Sequence, residues 1–189
     1  MAEHTVKKQH LAKVLGDIEN LKELALDVLY TNGSQGLAYS VRSETCLCTG
    51  IGNSTETDIE IASMVRGIPV EGTKMKAFEN CDTITSVIIP DGVTNIRNST
   101  FANCINLVNV SIGHGSKMIN TVFDGCTNLK TITLPKSIII INTNSFRNCT
   151  SLTDVYYRGT EEQWNSITIA NGNEALTNAT IHYNWEGDV

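Results

Sequence analysis

The sequence contains no uninterrupted apolar run of the roughly 18 residues that a membrane-crossing helix requires, so insertion by that route is excluded. It is also short of positive charge. Against 20 Asp and Glu it has 14 Lys and Arg, a formal net charge of −6, and the deficit is concentrated in residues 156–189, which carry −4. No basic face is available to grip phosphate, so nucleic acid is not an expected partner. The N-terminus, Met1 to Lys8, runs into a charged amphipathic stretch and lacks the apolar core of a secretory signal, so export by the general route is not expected. Catalytic groupings are missing as well. His4, His10, His114 and His182 fall on separate elements, no nucleophile motif joins them, and the reading is of a protein that is not an enzyme and carries no cofactor.

What the chain has instead is one phrase written four times. Ala77-Phe78-Glu79-Asn80-Cys81 returns as Thr100-Phe101-Ala102-Asn103-Cys104, as Val122-Phe123-Asp124-Gly125-Cys126 and as Ser145-Phe146-Arg147-Asn148-Cys149. The Phe and Cys positions keep intervals of 23, 22 and 23 residues, and all four Phe and four of the six Cys are used on this register. After each Cys comes an apolar frame: Ile84, Val87, Ile89; Leu107, Val110, Ile112; Leu129, Ile132, Leu134; Leu152, Val155, Tyr157. The last two positions of each frame are two apart, which places both side chains on one face of a short strand. A second inward position precedes each following phrase, at Ile96, near Met118 or Ile119, and at Ile141. A period of 20 to 29 residues with apolar residues at fixed offsets predicts a β-rich leucine-rich-repeat solenoid, in which stacked coils bury what no coil buries alone. Phe should then stack on Phe and Cys on Cys, with Asn80, Asn103, Gly125 and Asn148 at a corner.

The fullest copy, Ala77 to Pro90, resembles the BspA-like leucine-rich repeats of bacterial surface proteins, some protozoan proteins and some phage proteins. With its flanks the resemblance covers roughly residues 36–184. It implies a non-enzymatic adhesion or interaction module. Thr73-Lys74-Met75 departs from the usual lead-in, and the third coil is one residue short between Ile112 and Phe123.

Upstream, residues 5 to about 29 read as a helix. Leu11, Val14, Ile18, Leu21, Ala25 and Val28 are spaced 3, 4, 3, 4 and 3, the a/d seam of a coiled coil, and Leu15, Leu24 and Leu29 broaden it. Such a stripe is satisfied by self-association, with a trimer the first expectation, by docking on another protein, or by packing back as a cap on its own solenoid. The division follows: residues 1–30 amphipathic helix, 31–36 linker, 37–76 N-terminal cap and degenerate first repeat, 77–155 four repeats, 156–184 C-terminal cap, 185–189 loose tail. Leu37 to Val41 and Cys46 to Gly52 read as a hairpin. Thr160 with Gln163 forms a capping box that should start a short helix at Glu161 and present Trp164 to the open end of the core.

Cys46-x-Cys48 lacks the two-residue gap and the His partners of a metal site, and the recurring Cys read as reduced core residues. Gly113-His114-Gly115-Ser116-Lys117 occupies a corner and reads as a turn. The remaining candidates are the side chains between the buried strand positions: Ser86 and Ile88, Asn109 and Ser111, Thr131 and Thr133, Asp154 and Tyr156. In register they form an outward ladder, which is either a recognition surface for a protein or cell-surface ligand or an ordinary hydrated sheet. A binding face on an oligomerising or anchoring stem looks like a phage virion appendage such as a fibre or decoration protein. A bacterial surface adhesin fragment and an intracellular inhibitor of a host enzyme or defence complex are the alternatives. Virion association is the expected location, with the cytoplasm or cell surface as the others.

Overall fold

The structure, a computed structural model, describes residues 33–42 and 44–187. The helix expected over residues 5–29, with Leu11, Val14, Ile18, Leu21, Ala25 and Val28 on its seam, lies outside the described residues.

The strands are β1 (Ala38–Arg42), β2 (Thr45–Gly50), β3 (Asp58–Glu60), β4 (Met64–Val65), β5 (Ile68–Thr73), β6 (Ser86–Ile89), β7 (Asn109–Ile112), β8 (Met118–Ile119), β9 (Thr131–Leu134), β10 (Ile140–Ile141), β11 (Asp154–Tyr157), β12 (Thr168–Ile169) and β13 (Thr180–His182). Two short helices, α1 (Glu161–Asn165) and α2 (Glu174–Thr177), lie near the C-terminus. One strand from each repeat joins a parallel six-stranded sheet in the order β13-β11-β9-β7-β6-β3, so the sheet runs past the four copies at both ends. A second side of the coils forms the three-stranded sheet β12-β10-β8. It starts only at the third coil: Ile96 is buried as expected, but its segment contributes no strand, only the single bridge Gly72–Asn95. Met118 is exposed and Ile119 takes the inward position. The hairpin is present as β1–β2, and β2 pairs with β5.

Register does the work inside the coils. Phe78, Phe101, Phe123 and Phe146 stack with ring centroids 5.1, 5.7 and 5.4 Å apart, close to the spacing of the strands beside them. The thiols of Cys104, Cys126 and Cys149 donate to the carbonyls of Phe78, Phe101 and Phe123, each in the preceding coil, at 3.1, 3.0 and 3.1 Å. Burial pushes all three thiols well above the ordinary range, Cys149 up to about 12, so they are neutral donors at physiological pH. Cys81 belongs to the first copy and has no Phe in the coil before it. It is half-buried, and its thiol pairs with the Thr83 hydroxyl of its own coil.

The corner at Asn80, Asn103, Gly125 and Asn148 is left-handed in all four copies, with φ between 57° and 78°. The Asn103 side-chain amide donates to the Asn80 side-chain carbonyl at 3.1 Å, and at Gly125 a Cβ would lie 2.2 Å from Asn103 Oδ1, so glycine there makes room for the ladder below. Four residues earlier is a second left-handed column that the sequence did not announce: Lys76, Ser99, Thr121 and Asn144. This conformation costs a side-chain-bearing residue about 1–2 kcal/mol. It lets the amides of Lys76, Phe78 and Asn80 donate to the carbonyls of Asn98, Thr100 and Ala102, a ladder continued in the next coils.

At the C-terminal end, Thr160 caps α1 with both bonds of a capping box, and Trp164 is buried against Tyr157, with ring centroids 5.2 Å apart and the rings edge to face. Trp185, the first residue of the expected loose tail, is held in place. The Trp185 amide donates to the Tyr157 carbonyl and its ring lies on Tyr156, because the strand ladder continues far enough to offer both partners.

Two outcomes test the stacked core. Phe101→Ala should lower unfolding free energy by roughly 3–5 kcal/mol in a denaturant titration, since both ring neighbours lose contact at once. In a thiol-labelling assay at mildly alkaline pH, Cys81 should react first in the native protein, and Cys104, Cys126 and Cys149 only after denaturation.

Candidate functional site

The parallel register turns the outward side of the six-stranded sheet into two straight rows. One holds Asp58, Ser86, Asn109, Thr131, Asp154 and Thr180; the other holds Glu60, Ile88, Ser111, Thr133, Tyr156 and His182. All eight candidates named from sequence fall on these rows, because each lies one residue from a buried Val or Ile of its strand.

The first row is polar and tied together in pairs. Asp58 accepts from the Thr85 and Ser86 hydroxyls at 2.7 and 2.8 Å, Thr131 donates to the Asn109 side-chain carbonyl at 2.8 Å, and the Asp154 carboxylate meets His182 Nε2 at 2.7 Å. These bonds hold both carboxyls below the usual carboxylate range. Thr85 and Ser86 do so for Asp58, and His182, then Thr153, for Asp154.

The second row is uneven in height. Ile88 is 37% exposed, whereas Ser111 and Thr133 are 8% and 1% exposed. The expectation that Ser111 and Thr133 project into solvent is therefore corrected. By register both hydroxyls belong to the outward row, yet neither is open to solvent, so the accessible part of this row lies at Glu60, Ile88, Tyr156 and His182. At the Ile88 end lies a depression of about 340 Å³ bordered by Glu56, Asp58, Glu60 and Ser86.

The Tyr156 end is aromatic. Its ring stacks on His182 at 4.7 Å and meets Trp185 at 4.4 Å, tilted by 41°. Trp185 Nε1 is buried with no hydrogen-bond partner, and so is Nε of Arg158, two residues beyond Tyr156. Sequence reading named Asp154 and Tyr156 but missed His182 and Trp185. The available signal was positional, since extending the register by one coil places His182 beside Tyr156.

The other candidates behave as structural residues. Cys46 and Cys48 lie side by side on the inward face of β2, and burial raises both thiols, Cys48 to about 12. His114 sits at a corner against Asp91, whose carboxylate accepts from the His114 amide at 2.6 Å. Among the described residues no three His, Cys, Asp or Glu side chains gather to hold a metal ion, and no helix is long and apolar enough to cross a membrane.

Known proteins align with this arrangement. The sequence profile of the BspA type leucine rich repeat region matches residues 71–186 in six copies. No curated protein matches the sequence. A leucine rich cell surface protein from Faecalibacterium prausnitzii A2-165 superposes with a TM-score of 0.54 at 22% identity, over 73% of this chain and 42% of that one. A leucine-rich repeat protein from Bacteroides ovatus ATCC 8483 superposes with a TM-score of 0.58 at 22% identity, over 79% of this chain and 39% of that one. At that identity the likeness is one of fold, and this chain spans about two fifths of the length of either protein.

Proposed function

The chain belongs to the BspA-type leucine-rich-repeat family, and on that premise we propose that it is a non-enzymatic binding module whose outward sheet face contacts a protein or cell-surface ligand. The observation that carries this reading is the cluster of Tyr156, His182 and Trp185 at one end of an in-register sheet. Aromatic side chains fixed on a rigid element lose little freedom when a partner arrives, which is why they dominate binding energy at interfaces.

The face also selects by charge. Its two rows contain Asp58, Glu60 and Asp154 and no Lys or Arg, so they favour a ligand presenting basic groups toward the acidic ends and an apolar or planar group toward Tyr156.

The amphipathic segment with Leu11, Val14, Ile18, Leu21, Ala25 and Val28 is the stem of this proposal. Self-association there joins several weak faces and raises avidity through effective concentration. Two settings use such a device. A virion appendage is supported by the pairing of a seam-bearing stem with a repeat module. A bacterial surface adhesin is supported by the Faecalibacterium protein of the same fold, described as a leucine rich cell surface protein, and has the more direct support. An intracellular inhibitor would use the same face without the stem's valency.

Binding of the full chain to immobilised extracellular-matrix and cell-surface proteins should fall by about tenfold or more with Tyr156→Ala, the loss expected at an interface hot spot, while the melting temperature stays close to that of the wild type. Unchanged binding by that variant would sink the assignment of the face. Light scattering of the full chain should give a trimer mass, and Leu11→Lys with Ile18→Lys should return it to a monomer.

A further inference from the structure

A second surface lies on the N-terminal cap, away from the outward rows. On β2, Cys46 and Cys48 point into the core, so Thr45, Leu47 and Thr49 point out, and the antiparallel register sets Arg42 opposite Thr45 and Ser40 opposite Leu47. β5 lies against β2 and delivers Glu71, Lys74 and Met75 to the same side. The next coil approaches closely enough that a Cβ on Gly72 would lie 2.2 Å from the Asn95 carbonyl, and it brings Arg97 alongside. Together these residues line an open groove of about 480 Å³.

Three cations converge on this groove. Arg42, Lys74 and Arg97 come from three separate segments, all three are exposed, and among the described residues none forms an ion pair. Two cations outside the groove are matched, Lys76 with Glu79 and Arg147 in a two-bond fork with Asp124, but no other group of three cations lines one of the described depressions. Among the described residues Glu71 is the only carboxylate lining the groove, which leaves two positive charges in excess there on a chain whose net charge is −6.

We propose that this groove binds an acidic oligosaccharide, with its carboxylate or sulfate groups held by Arg42, Lys74 and Arg97. The guanidinium fork matches either anion with two parallel bonds, and the Lys74 ammonium adds a point charge. The rest of the lining fits a sugar. Ser40, Thr45, Thr49 and Glu71 bond ring hydroxyls, and Leu47 with Met75, which is 54% exposed, offers an apolar patch to a pyranose face. The volume is within the range for small-ligand sites. A single-stranded nucleic acid finds three cations but no aromatic ring on which to stack a base.

The test is titration calorimetry on the full chain at low ionic strength with a heparin tetrasaccharide, tetragalacturonate and a short oligothymidylate. At least one sugar should bind, and more weakly as salt rises. Binding of the heparin fragment alone assigns the sulfate group; binding of tetragalacturonate assigns the carboxylate. Arg42→Gln and Arg97→Gln should each weaken binding roughly tenfold, as loss of a charge-assisted hydrogen bond does. Lys136→Gln, the same charge change at an exposed corner outside the groove, should leave it unaltered. The proposal is overturned if neither sugar binds, if the Arg42→Gln/Arg97→Gln double variant binds like the wild type, or if the oligothymidylate binds as tightly as the sugars.

Discussion

Everything in this fold depends on each coil offering the next one the same chemistry at the same place. The thiol-to-carbonyl bonds show how strict that is. A backbone carbonyl inside the core needs a donor, and the side chain supplying it must be small and otherwise apolar. Cysteine meets both demands at positions 104, 126 and 149, each beneath a Phe carbonyl one coil away. Each of these carbonyls already accepts the amide of its own coil's Cys81, Cys104 or Cys126, so the thiol fills the second lone pair and ties one coil to the next without introducing a strongly polar group.

A stacked rod has two open ends, and each is closed by different means. At the C-terminal end Trp164, delivered by a helix that a capping box starts, covers Tyr157, which itself replaces the Ile or Leu of the earlier strands. At the other end the β1–β2 hairpin and β5 close over Cys46 and Cys48. Both closures depart from the repeat, and the departures are where exposed chemistry collects: Tyr156, His182 and Trp185 beside one end, Arg42, Lys74 and Arg97 at the other. Within the repeats the outward positions other than Ile88 are short polar side chains, two of them joined by the Thr131–Asn109 bond.

The coil, its period and its inward positions were legible because each is written four times, so local ambiguity is resolved by agreement among copies. What was not legible lies where copies give no vote. Lys76, Ser99 and Thr121 share a left-handed backbone that their side chains disfavour; tertiary hydrogen bonding imposes it, and no residue type announces it. Ser111 and Thr133 were placed on the correct row but are buried, because exposure is set by tertiary surroundings that a strand's own alternation does not encode. The groove was invisible for a related reason. Arg42, Lys74 and Arg97 are scattered in sequence and meet only through the pairing of β2 with β5 and the approach of Asn95 to Gly72.

The same backbone logic separates folding from binding. Most inter-coil bonds run between main-chain groups and through the buried Phe and Cys columns, and the outward rows add only a few side-chain pairs to them, so the register depends mainly on what is buried. Residues 77–155 are neutral overall, and charge is displaced to the margins: Asp58 and Glu60 on the sheet face, and unpaired cations in the cap groove. The two surfaces have opposite sign, so on the two proposed readings a basic partner would be drawn to the sheet face and an acidic chain to the groove. One rod would then hold two chemically distinct partners in a fixed relation, which a single larger face of mixed charge would not do.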